Sequence, residues 1–96
     1  MSHDPEGTKP IDVNQVIMVM IDQMSSIAWQ KLGLQNDLIT GKLEKDLNQA
    51  KTAVDCVSKL ADFITPQLDE GDKRQMQTLI SNLKVNYVQK AAEENA

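Results

Sequence analysis

The chain has 96 residues, ten Lys/Arg against fourteen Asp/Glu for a net charge of −4, 41% hydrophobic residues and one cysteine. That length holds one core and leaves no room for a second domain. The acidic balance, with no stripe of cations, excludes nucleic acid as a direct partner, and the lone Cys56 excludes an internal disulfide and favours a reducing compartment.

Trp29, Phe63 and Tyr87 are the only aromatic residues, so the core has to be aliphatic and methionine-filled. Three prolines and four glycines are too few for a many-turned β fold. A chain of this size buries only roughly 60–65% of the surface its unfolded form exposes, so an oligomer would add stability that the monomer lacks.

Residues 1–10, polar and carrying Pro5, Gly7 and Pro10, read as a disordered tail. At "IDVNQV" the start signals coincide: Asp12 caps, Gln15 completes a capping box, and Ile11 and Val16 take the staple positions. Gly33 suits the left-handed position after the last turn, with Leu34 folding back on Trp29, so the first helix covers about 12–32. The loop "LQNDLITGK" follows, with Thr40-Gly41 as its turn.

Asp46 and Gln49 repeat the capping-box spacing and open a second helix over about 46–64. Leu47, Ala50, Val54, Val57, Ala61 and Ile64 alternate three and four apart, and Ala53, Cys56, Leu60 and Phe63 widen that stripe. Lys51, Asp55 and Lys59 form an i, i+4 ladder on its far side. Thr65-Pro66 stops the helix, because proline disfavours helical geometry in the residue before it. Asp69 then caps a third helix over about 70–90, with Met76, Leu79, Ile80, Leu83 and Tyr87 on one face and an acidic tail over 91–96. The expected fold is all-α, a compact antiparallel three-helix bundle with frayed termini.

The run "AWQKLGL", the turn Thr40-Gly41, "DLNQAKTAVD" from Asp46 to Asp55, and "NLKVNYV" ending at Val88 together form an ordered pattern. It resembles the small bacterial helical family catalogued as domain of unknown function eighteen forty-four, in which A-x-x-x-L-G-L, T-G, D-L-x-x-A-x-x-x-x-D and L-x-x-x-Y-V follow in that order. The resemblance covers roughly residues 13–90. Here Gln35 to Ile39 lacks the proline that the family's loop often carries. The resemblance implies a helical fold and a bacterial origin, and brings no activity, ligand or catalytic residue.

Chemistry-bearing residues are sparse. His3 is the only histidine and sits in the N-terminal tail, so no His-dependent triad can be assembled around a folded core. Cys56 falls at the edge of the second helix's apolar arc, where it reads as a small core hydrophobe. "LDEGDKR" has the acids of a calcium loop but not the ligand spacing, and a capped helix start explains them. Asp55 and Asp62 share a lysine-interleaved face that reads as solvated surface. The expectation is a chain that is not an enzyme, with no catalytic residue, cofactor or metal ligand.

The remaining feature is "VIMVMI", Val16 to Ile21, too short to cross a bilayer and followed at once by Asp22. On a wheel, Val13, Val16, Ile17, Met20, Ile21, Met24, Ile27 and Ala28 fall in one arc of about 160°, the expected core face. Val19 lies on one flank of it and Met18 with Trp29 on the other. Met18, Val19, Asp22, Ser25 and Trp29 are therefore the candidate interface, for a second copy or a partner protein. The expected function is a non-enzymatic helical interaction module, a homodimer being the simplest form of it, in the cytoplasm. The alternative is a small-molecule carrier with an apolar ligand among Met20, Met24 and Met76.

Overall fold

A computed structural model describes residues 9–95; the expectations for the tail before residue 9, His3 included, lie outside the described residues. Three helices follow in order: α1 (Val13–Lys31), α2 (Leu47–Ile64) and α3 (Glu70–Asn95), with one 3-10 turn at Thr65–Gln67 between the last two. The architecture is all-α, an antiparallel three-helix bundle in which α2 packs against both neighbours while α1 and α3 meet only along a short stretch.

Each helix starts where an aspartate satisfies amides that have no intrahelical partner. Asp12 Oδ1 accepts from Asn14 N at 2.9 Å and Gln15 N at 3.4 Å, Asp46 Oδ1 from Gln49 N at 3.1 Å, and Asp69 Oδ1 from Asp72 N at 2.8 Å. At the end of α1 the Gly33 amide donates to Gln30 O and the Leu34 amide to Trp29 O, the paired bonds of a Schellman motif, and Gly33 takes φ +81°. A Cβ at Gly33 would also stand 3.2 Å from Lys45 Cδ, so space as well as backbone conformation selects glycine there.

Two further contacts fix the hairpin. Asp46 N donates to Lys31 O at 2.8 Å where α1 ends and α2 begins, and the Asn14 side-chain amide donates to Gln67 Oε1 at the other end. Thr65 Oγ1 returns to Ala61 O, and Pro66 then diverts the chain through the 3-10 turn into α3.

The core holds Ile21, Ala28, Ala53, Val54, Val57, Ala61, Ile64, Met76 and Leu83, all buried. Along α2 the expected stripe faces inward, with two differences at its edge. Cys56 is half-buried, and Phe63 is 68% exposed rather than part of the core. Its position on the helix is about 100° round from Ile64, on the outer side of the hairpin.

The inward face of α1 differs more. Ile21, Ser25, Ala28 and Leu32 form the buried row, so the packed arc is rotated by roughly 70° from the one the apolar pattern suggests. Small residues explain the choice. Ser25 and Ala28 on α1 and Ala50, Ala53 and Ala61 on α2 supply the buried surface, letting the two helices pack closely. The bulkier arc of Val13, Val16, Met20 and Ile27 is left outside.

At the other end of the chain, α3 continues through residues 91–95 instead of fraying after 90. Ala91, Ala92, Glu93 and Glu94 are strong helix formers, and Glu94 reaches Lys45 at 3.0 Å.

Candidate interaction surface

The structure separates the five residues of the candidate interface. Ser25 is 6% exposed, and its Oγ is buried with no hydrogen-bond partner among the described residues. Met18 and Trp29 are half-buried and packed against the core, because the inward rotation of α1 carries their side of the helix toward α3. Asp22 is exposed beside α3. Of the five, only Val19 faces outward as an apolar residue, at the end of α1 where Ile11 and Val16 are also exposed. The five do not form one surface.

A different apolar surface takes their place. Val13, Met20 and Ile27, seven residues apart, are 67%, 44% and 41% exposed and make one line along α1. Gln49, Cys56 and Phe63 make the corresponding line along α2 by the same spacing. The two lines run side by side: Ile27 and Gln49 line one shallow cleft with Met24, Lys31, Thr52 and Ala53. Because the helices are antiparallel, the α1 line runs on from Ile27 toward Val13 as the α2 line runs on from Gln49 toward Phe63.

This flank is the one away from α3. On the α3 side, α1 presents Met18 and Asp22 to Met76 and Leu79, and α2 presents Val54 and Lys51 to Tyr87 and Val88. The hairpin thus has one face covered by α3 and one face bare. Val13, Met20 and Ile27 on α1 and Phe63 on α2 are the exposed apolar side chains of this flank.

Electrostatics around the bare face are mild. Lys51 donates to Asp55 Oδ2 at 2.9 Å on the α3 side, and that hydrogen bond and charge hold its ammonium above the usual lysine range. In the α1–α2 connection, Asp37 accepts the Thr40 and Ile39 amides at 3.0 and 2.7 Å, which holds its carboxyl below the ordinary aspartate range. Together with Gly41 at φ +72°, these bonds build the Thr40-Gly41 turn.

One residue that matters to this loop escapes a reading by pattern. Gln30 is buried; its Oε1 accepts the Leu38 amide at 3.2 Å and its Nε2 donates to Ser26 Oγ at 3.3 Å. A glutamine on the outer wheel position of a helix gives no signal that a loop folds over it.

The methionines of the carrier reading are also parted. Met76 lines a groove between α1 and α3, whereas Met20 and Met24 fall on the other flank of α1. Among the described residues no group of three or more His, Cys, Asp and Glu side chains is placed to hold a metal ion, and no helix is long and apolar enough to cross a membrane.

No curated protein and no solved structure matches the chain. A family model does: the one described as Domain of unknown function (DUF1844) matches residues 14–89. With that match spanning most of its length, and with the A-W-Q-K-L-G-L end of α1 and the D-L-N-Q-A start of α2 standing at the two ends of the hairpin's loop, the chain belongs to the DUF1844 family.

Proposed function

We propose that the protein is a non-enzymatic helical interaction module of the bacterial cytoplasm that self-associates through the bare face of its α1–α2 hairpin. The observation that carries this reading is the exposed line Val13, Met20 and Ile27 on α1, with Phe63 also exposed on α2. A second copy is the occupant that fits best. Its exposed apolar residues are joined by Gln49 and Thr52, and Lys31 is the one charged residue of the Ile27–Gln49 cleft, so little charge opposes a second copy of the face under a two-fold axis. Stacking two such hairpins makes a four-helix layer with heptad-spaced residues at its seam, the packing used by helical bundles.

A stable interface takes about 800 Å² from each partner, a little over a tenth of the 6941 Å² that this chain exposes. The molecule measures 62 × 33 × 18 Å, and its short dimension leaves the bare face only two helix layers thick to the opposite side.

Sedimentation of the wild type beside Met20→Glu and Val85→Glu tests the reading. The wild type is expected to be a dimer at tens of micromolar, Met20→Glu a monomer with unchanged helical circular dichroism, and Val85→Glu, on the exposed outer side of α3, a dimer still. A wild type that stays monomeric at the highest attainable concentration rejects the proposal, as does a Met20→Glu protein that dimerises like the wild type.

A further inference from the structure

The α1–α3 groove is a separate feature from the bare face. It lies on the opposite flank of α1, holds about 300 Å³, and is half-enclosed between α1, α3 and Leu68 of the connection between α2 and α3. Its floor and walls are apolar, from Met18, Ile21, Met76 and Leu79. Its polar lining is Asp22, Asp72 and Gln75, and no lysine or arginine lines it.

Neither carboxylate is engaged elsewhere. Among the described residues, the ion pairs join Lys45, Lys51, Lys73 and Lys90 to other acids, and no side-chain hydrogen bond involves Asp22 or the Asp72 carboxylate. An apolar slot edged by two carboxylates that no side-chain cation pairs is complementary to a small molecule that is greasy over part of its surface and positively charged.

The dimensions choose between a small molecule and a partner helix. On α3 the groove runs from Asp72 to Leu79, a rise of about 10 Å at 1.5 Å per residue, but on α1 only from Met18 to Asp22, about 6 Å. A docked helix spaces its anchors from i to i+7, about 10 Å along its axis, which the α1 wall does not span. A volume of about 300 Å³ stands instead at the lower end of small-molecule sites. Met18 and Met76, unbranched and polarizable, adjust to ligands of differing shape.

We infer that the α1–α3 groove is a binding site for a small amphiphilic cation, its apolar body lying among Met18, Ile21, Met76 and Leu79 and its ammonium head drawn to the carboxylates of Asp22 and Asp72 at the rim. Gln75 offers a side-chain carbonyl to the same head group. This inference does not rest on self-association, because the groove and the bare face lie on different sides of α1.

Titration of the ¹⁵N-labelled full chain with octylammonium, octanoate and 1-octanol, each followed by amide shifts, tests it. Octylammonium is expected to saturate with shifts confined to residues around Ile21, Met76 and Leu79, to bind about tenfold or more tightly than octanoate, and to weaken as salt rises. Asp22→Asn, and separately Asp72→Asn, should weaken the amine and leave octanol unchanged; Asp22→Asn touches no helix cap, so it remains informative if Asp72→Asn disturbs the start of α3. Equal binding of octylammonium and octanoate overturns the inference. So do an unchanged amine affinity in Asp22→Asn, shifts that map to Val13, Met20 and Ile27, or no saturable shift at millimolar amine.

Discussion

Helices α1 and α2 are of nearly equal length, start on the same kind of aspartate cap and form the two arms of one hairpin, yet they relate to their sequences in different ways. In α2 the apolar residues occupy a limited arc and an exposed ladder of Lys51, Asp55 and Lys59 marks the other side, so only one rotation about its axis buries the stripe. In α1 the apolar residues cover most of the circumference, with Val13, Val16, Val19 and Met20 added to Ile17, Met18 and Ile21. Several rotations would each bury a comparable area. The helix that is more hydrophobic is therefore the one whose orientation its pattern specifies less.

The sharpest way to break that comparison is a pair of truncations on α1. Ile21→Ala should cost about 2–5 kcal/mol, the range for removing a buried aliphatic side chain, since Ile21 is fully enclosed. Val16→Ala should stay within about 0.5 kcal/mol in dilute protein, as for an exposed site. Urea unfolding of both variants gives the answer. If Val16→Ala costs as much as Ile21→Ala, the inward arc of α1 is the one its hydrophobic pattern suggests and the contrast with α2 disappears.

Ser25 offers a smaller and opposite effect. Its buried hydroxyl lacks a partner, so Ser25→Ala should stabilise the protein by about 1 kcal/mol through loss of an unsatisfied polar group and a better helix former. It should also leave the sedimentation behaviour unaltered, because the residue faces α2 and α3 and not the bare side. A destabilised Ser25→Ala protein would mean that the hydroxyl has a hydrogen-bond partner, and one with weakened self-association would place Ser25 at the contact surface.

The smallest effect lies in the connection that joins the two arms. Asp37 has a folded-state pKa below its unfolded value of about 3.9. Its contribution is thus complete above that value and is lost as pH falls through the lower folded one. The Ile39 and Thr40 amide resonances should shift together only below about pH 4, while those of Ala28 and Ala53 in the hairpin core stay put. A titration at the ordinary aspartate value, without movement of those two amides, would mean that the turn is not held by this carboxylate.

Much of the fold is legible in the residues alone. Asp12, Asp46 and Asp69 start the helices they mark, Gly33 closes α1 through the left-handed geometry it permits, and α2 gives way to the 3-10 turn at Pro66, which has no amide to continue the helical ladder, although Thr65 before it keeps helical dihedrals against the expectation for a residue preceding proline. These are local effects, each decided within four or five residues of chain. The family pattern reads out the same way, because its ordered motifs fall on those helix ends.

The candidate surface was much less legible. Phe63 looks like a core residue by type, yet it is exposed, and Ser25 looks like a surface residue, yet it is buried. Neither fact is local. Both follow from how closely α1 and α2 approach, which the small side chains of Ala28, Ala53 and Ala61 permit.

Sequence by itself determined the number of helices, the bounds of α1 and α2, the start of α3 and most of the buried stripe of α2, because caps, breakers and a one-sided pattern act through neighbouring residues. Only the tertiary structure decided which side of α1 is turned inward, and with it the bare hairpin face and the acid-edged groove. An almost uniformly apolar helix has no single preferred side until a second surface of fixed shape is laid against it.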